Sequence, residues 1–178
     1  MRSTSRNGGA FWTTAVVVVV LDAITKWLAV SHLPEHLPQN IVGNVVRFTL
    51  AYNPGAAFSM SLGENSRYIF GAFAICALFI LWRLYQKTAS GDMIRVLALG
   101  LAWGGAAGNL IDRFHRPEGV VDFIDIGLGD VRFWTFNVAD SAVTIGALLL
   151  AWVLWREDRR ALAIAAAEAA ARDEQQVG

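Results

Sequence analysis

Four apolar stretches, at residues 11–30, 68–85, 94–111 and 136–155, constrain this chain more than any other feature. A helix needs about 20 residues to cross roughly 30 Å of hydrocarbon. Inside lipid, every backbone N–H and C=O must find its partner within the segment itself. The pattern therefore predicts an all-α membrane protein with four transmembrane helices. Composition points the same way, with 55% hydrophobic and 17% charged residues, against roughly 25% charged in an average soluble domain. Zero net charge speaks against a nucleic-acid partner. The single cysteine, Cys76, excludes an internal disulfide, and no Cys/His group has zinc spacing, so neither a metal nor another cofactor is expected.

Arg2 and Arg6 precede the first stretch as they would in a secretory signal. The run is long, however, carries Asp22 and Lys26, and lacks a following small-x-small cleavage pattern, so it reads as a retained anchor. An even number of spans puts both termini on one side. Lys and Arg decide which side: nine fall at the termini and second connection, and five at the first and third connections. This bias places both termini in the cytoplasm. The outward connections are themselves structured. Residues 41–52 (IVGNVVRFTLAY) and 119–136 (GVVDFIDIGLGDVRFWTF) are rich in β-branched and aromatic residues, which predicts a small outward-facing β-sheet with connecting loops. Residues 161–178 form an Ala-rich, helix-favouring cytoplasmic tail.

The polar residues inside or beside the spans are few. A carboxylate within a span costs at least ~2.5–3.5 kcal/mol and so marks a function or a specific partner. Asp22 and Lys26, four apart, read as an intrahelical ion pair. The third span ends GGAAGNLIDR, where the glycines permit close helix approach. There Asn109 and Asp112 share a face, and Arg113 follows at the boundary. The fourth span opens FNVADS. Asn137 can cap that helix, and Asp140 can be favoured by its dipole. Asp122 and Asp125 sit in a strand-like run, where a regular strand turns only one of them inward. Asn53, in Asn-Pro-Gly, can initiate a turn. Span parity puts Asp22, Asn53, Asn109, Asp112, Arg113, Asp122, Asn137 and Asp140 at one membrane face, and the opposite boundary has no equivalent set.

Nucleophilic catalysis finds little support, because Ser59 and Ser61 have no obvious base, although Lys26 could in principle serve one, and Cys76 has no nearby histidine. No H-E-x-x-H is present. Two carboxylates sharing one proton suit amide hydrolysis without metal or covalent intermediate: one activates water and the other polarises the carbonyl. Proton-coupled transport also uses intramembrane carboxylates, but usually near the midplane and in repeated architectures. Substrate-dependent proton flux would mark a transporter, and binding without cleavage would mark an assembly factor.

Five motifs, LDAITKW at 21–27, FTLAYNPGAAFS at 48–59, GGAAGNLIDR at 104–113, VVDFID at 120–125 and FNVADS at 136–141, together make the chain resemble the bacterial type II (lipoprotein) signal peptidases. The resemblance covers nearly all of residues 11–155. It implies an intramembrane aspartic endopeptidase at the outer face of the bacterial cytoplasmic membrane. Such an enzyme removes signal peptides from diacylglyceryl-modified prolipoproteins, just before the lipidated cysteine. It further implies Asp122 and Asp140 as catalytic residues, with Asn53, Asn109, Arg113 and Asn137 lining the substrate site. Asp22, Lys26 and Asp112 would act as structural support. Asp112 competes for the catalytic role on position alone, and Arg113 is its candidate neutralising partner. The implied partners are a lipidated prolipoprotein, membrane lipids and a globomycin-type inhibitor, and residues 1–160 would form the peptidase domain. Pro54 departs from the family pattern, where threonine is common, and removes a backbone donor.

Overall fold

The computed structural model describes residues 4–55 and 65–177. The 56–59 end of the second motif, together with Ser59 and Ser61, lies outside the described residues. Four helices run through the chain: α1 (Thr4–His32), α2 (Ser66–Gln86), α3 (Met93–His115) and α4 (Val138–Val177). All four are long and apolar enough to cross a membrane, so the chain is a multi-pass membrane protein. The helices outrun the apolar stretches because intrahelical hydrogen bonds continue to close beyond the hydrocarbon. Asp112 and Arg113 accordingly lie inside the last turns of α3, and α4 continues without a break into the Ala-rich segment.

The other three helices each pack along α3. Its sequence explains why. Between Gly100 and Gly108 the chain is rich in Gly and Ala, which lets backbones meet where lipid supplies no hydrophobic drive for association. A Cβ on Gly104 would come within 2.7 Å of the Ala15 carbonyl of α1, and one on Gly105 would strike the Ala139 carbonyl of α4. Large apolar side chains point outward instead, among them Trp27, Phe73, Phe79, Leu148 and Leu154. Away from the acids, Phe11 stacks on Tyr85 with ring centroids 4.2 Å apart and packs with Val96 and Leu99. Buried Asn7 ties the start of α1 to the α2–α3 connection by donating to the Ala89 carbonyl at 3.0 Å.

The sheet has four antiparallel strands in the order β1 (Gln39–Val42), β2 (Val46–Asn53), β3 (Val120–Leu128) and β4 (Val131–Arg132). Leu50, Val121 and Phe123 pack with Ala29 of α1 and so seat the sheet on the helix end. Strand alternation decides between the two β3 acids. Asp125 shares the face of Val121 and Phe123, and it is held by Arg132 Nε at 2.5 Å and the Thr49 hydroxyl at 3.2 Å. Asp122 faces the other way. The Phe136 carbonyl accepts from the N–H groups of Phe123 (3.0 Å) and Ile124 (2.8 Å), and its own N–H donates to Ile124 O at 3.0 Å. This short bridge fixes the first turn of α4 beside Asp122.

Gly105→Val is expected to overpack the α3–α4 seam, because the new side chain meets backbone that cannot rotate away. Thermal unfolding in detergent should show a loss of at least ~1–3 kcal/mol, and an unchanged midpoint would refute this account of the seam.

Candidate active site

The C-terminal turn of α3, the N-terminal turn of α4 and the middle of α1 meet under the sheet, and their polar residues form one connected network. At its centre is Lys26, only 2% exposed. Its Nζ lies 2.7 Å from Asp22 Oδ2, 2.8 Å from Asp112 Oδ2 and 2.9 Å from Asn109 Oδ1. All three ammonium protons therefore have acceptors, as burial of a charge requires. The Asp22–Lys26 pair forms within α1, but Lys26 also binds two residues of α3.

Both carboxylates bound by Lys26 are further occupied. Asp22 Oδ1 accepts the Ala139 N–H at 2.9 Å, in the first turn of α4, where the helix dipole favours negative charge. Asp112 Oδ2 accepts the Val121 N–H at 3.2 Å, and its Oδ1 stands 3.5 Å from Arg116 Nε. The salt bridges of Asp112 thus go to Lys26 and Arg116, while the charge of Arg113 acts on Asp140 and Asp122 ahead of Asp112, and its Nη1 donates to the Asn109 carbonyl at 3.0 Å. Two carboxylates and two cations balance one another.

Asp122 and Asp140 take no part in those salt bridges, and the cation facing them is Arg113. Asn137, fully buried, caps α4: its Oδ1 accepts the Asp140 N–H at 2.8 Å, while Asp140 Oδ2 accepts the Asn137 N–H at 3.2 Å. This reciprocal pair satisfies two donors of the helix start. The Asn137 amide nitrogen reaches Asp122 Oδ1 at 2.7 Å, Asn109 Oδ1 at 3.1 Å and the Val121 carbonyl at 3.2 Å. The Asn109 amide in turn donates to Asp140 Oδ1 at 2.7 Å. Two asparagines thereby connect both acids. Asn53, at the end of β2, also hydrogen-bonds the Asp122 carboxyl, and its Oδ1 accepts the Gly55 N–H at 3.0 Å. The turn thus closes across Pro54 without needing that residue's missing donor. Gly119, with φ +115°, leaves room for the Asn53 carbonyl that a Cβ would strike.

A cavity of about 590 Å³ opens here, and Asn53, Arg113, Asp122 and Asp140 line it. Burial raises the Asp122 carboxyl from its ordinary 3.8 to about 7, and the neighbouring Asp140 carboxylate adds to the rise. Hydrogen bonds from Asn137 and Asn53 act in the opposite direction. Asp122 is therefore able to keep a proton up to near neutral pH. Of the residues singled out in sequence, Asp22, Lys26 and Asp112 form the charge-balanced core, while the other six contribute to the cavity or to the amide links behind it. Sequence reasoning missed the aromatic wall of Phe70, Phe133, Trp134 and Phe136. The F-W-T-F run before Asn137 was the available signal.

Two substitutions should separate these groups. Lys26→Met leaves Asp22 and Asp112 buried together and should cost about 3–5 kcal/mol of stability, visible as lost expression or a lower unfolding midpoint. Asp122→Asn should do the reverse at pH 8. The folded state binds the Asp122 proton more tightly than the unfolded chain, so stability falls as pH rises from about 4 to about 7, by on the order of 4 kcal/mol. The amide does not incur that loss. A variant no more stable than the parent at pH 8 would count against the buried, raised carboxyl.

A family model described as signal peptidase (SPase) II matches residues 14–156. The chain is 43% identical over 140 residues to the lipoprotein signal peptidase of Coxiella burnetii, covering 76% of this chain and 83% of that one. It is 37% identical over 142 residues to the lipoprotein signal peptidase of Polynucleobacter necessarius, covering 78% and 84%. A solved bacterial membrane enzyme superposes with a TM-score of 0.76 at 30% identity, over 84% of this chain and 90% of that one. Because the matched residues enclose the whole polar network from Asp22 to Asp140, this chain belongs to the signal peptidase II family of proteases.

Proposed function

We propose that this chain removes signal peptides from diacylglyceryl-modified prolipoproteins, cleaving before the lipidated cysteine, with Asp122 and Asp140 as its catalytic pair. The observation that carries the assignment is the difference among the four clustered acids. Asp22 and Asp112 are tied up in salt bridges, whereas Asp122 and Asp140 line one cavity, are held by amides, and face Arg113 across it without a salt bridge to it among the described residues.

Asp140 takes the part of base. Its carboxylate accepts from the Asn109 amide and from a backbone N–H at the start of α4, both of which favour negative charge. It draws a proton from water as the oxygen attacks the scissile carbonyl. Asp122 holds the shared proton and gives it to the developing oxyanion. When the tetrahedral species collapses, its hydroxyl returns a proton to Asp122, and Asp140 passes its proton to the leaving amine. The pair ends as it began, with no covalent intermediate. Arg113 and Asn53, at the cavity wall, hold the substrate backbone and head region, with Asn109 and Asn137 behind them.

The lipidated precursor enters from the bilayer, and its acyl chains remain among lipids and helices. The aromatic wall gives the cavity an apolar side suited to that approach. A globomycin-type cyclic peptide would compete for the same cavity. Membership of the family suggests the bacterial cytoplasmic membrane, and the Lys and Arg bias supports an orientation with both termini inside and the cavity at the outer face. Residues 1–160 then form the peptidase domain, and 161–178 a cytoplasmic tail.

Purified protein incubated with a lipidated precursor should release a signal peptide ending just before the lipidated cysteine, read by product mass. Asp122→Asn and Asp140→Asn should each lower turnover by at least ~10²–10⁴-fold while the protein still folds, and full activity in either would remove that residue from the pair. The parent's kcat/KM should fall as pH rises through about 7, where Asp122 gives up its proton. A flat profile from pH 6 to 8 would contradict the role of that proton.

A further inference from the structure

At the end of the bundle opposite the acids, a second cavity of about 410 Å³ opens between the start of α3 and the later turns of α4. Met93, Ile94 and Val153 give it an apolar wall, and Arg156 and Arg160, one helical turn apart, give it charge. Its two carboxylates are already engaged. Arg95 Nε stands 3.1 Å from Asp92 Oδ2, and Arg95 Nη2 stands 2.5 Å from Glu157 Oε1. Among the described residues, neither Arg156 nor Arg160 makes an ion pair. The Arg156 guanidinium lies 4.7 Å over the ring of Trp152, an exposed aromatic. With Arg95 counted, three guanidinium groups stand against two carboxylates, so the cavity carries a net positive charge; Ile94 of its wall is exposed, as is Leu97 about one turn on along α3.

An occupant that satisfies both walls needs an anionic head and an apolar body. We propose that this cavity binds an anionic phospholipid, its phosphodiester paired with Arg156 and Arg160 and its acyl chains lying along Ile94 and Leu97. Basic pockets between membrane helices favour such headgroups. Free phosphate would meet the two guanidinium groups but leave the apolar wall in water, so the lipid is the better fit. The site is separate from the acid pair and stands whichever peptide bond that pair breaks.

The test is thermal unfolding of the full chain in a non-ionic detergent, titrated with phosphatidylglycerol, phosphatidylcholine or inorganic phosphate. Phosphatidylglycerol alone should raise the midpoint and saturate. The double variant Arg156→Gln/Arg160→Gln should weaken its apparent affinity roughly thirty-fold, with the lipid-free midpoint confirming that the variant folds. If the double variant is unstable, Arg160→Gln, at an exposed position, should still weaken binding severalfold. Arg159→Gln, whose guanidinium lies over Trp155 rather than in the cavity, should bind as the parent does. Equal shifts from phosphatidylcholine or inorganic phosphate would overturn the proposal. So would an undiminished response in the cavity variants, or an equal loss in Arg159→Gln.

Discussion

Everything at the sheet end of this bundle depends on one buried ammonium group. Lys26 brings a full charge into an environment where an unpaired charge would cost several kcal/mol. Its three protons meet Asp22, Asp112 and Asn109, on two different helices. The contact does more than bind α1 to α3. Because Lys26 occupies the Asn109 carbonyl oxygen, that amide must present its nitrogen to Asp140. One cation thus orients a donor toward an acid that it does not itself touch.

The same arrangement sorts four nearby carboxylates into two kinds. Asp22 and Asp112 are neutralised by Lys26 and Arg116 and tied to the backbone of α4 and β3. Asp122 and Asp140 are held in position by asparagines, and Arg113 acts on both without closing a salt bridge among the described residues. A neutral donor leaves a carboxylate free to exchange a proton, whereas a salt bridge holds it ionised. The raised Asp122 carboxyl follows from its burial and from the acid beside it.

The sheet contributes position. β3 begins where α3 ends, and its pairing with β2 carries Asn53 to Asp122 from the other side. The Phe136 bridge to β3 then sets the start of α4, so that Asn137 reaches both acids at once. The Asp125–Arg132 pair lies on the opposite face of the strand and braces it: Arg132 also donates to the Asn44 carbonyl at 3.0 Å, tying β4 to the β1–β2 turn.

The four spans, the presence of a sheet and the gathering of acids and amides at one face were all legible in the residues alone. Apolar length, strand-forming composition and span parity are local or countable properties. The motif that caps α4 was legible as well, since Asn137 and Asp140 are three apart in a helix start. Which acids would be neutralised was not. Asp112 is adjacent to Arg113 in sequence, yet its salt bridges go to Lys26, 86 residues earlier on another helix, and to Arg116, one turn on. Nor could strand alternation say whether Asp122 or Asp125 faces the cavity, because that depends on how β3 pairs and on what it packs against. Partners of a buried charge are chosen by distance in space, and distance in space is set only when the helices close on the small residues of α3.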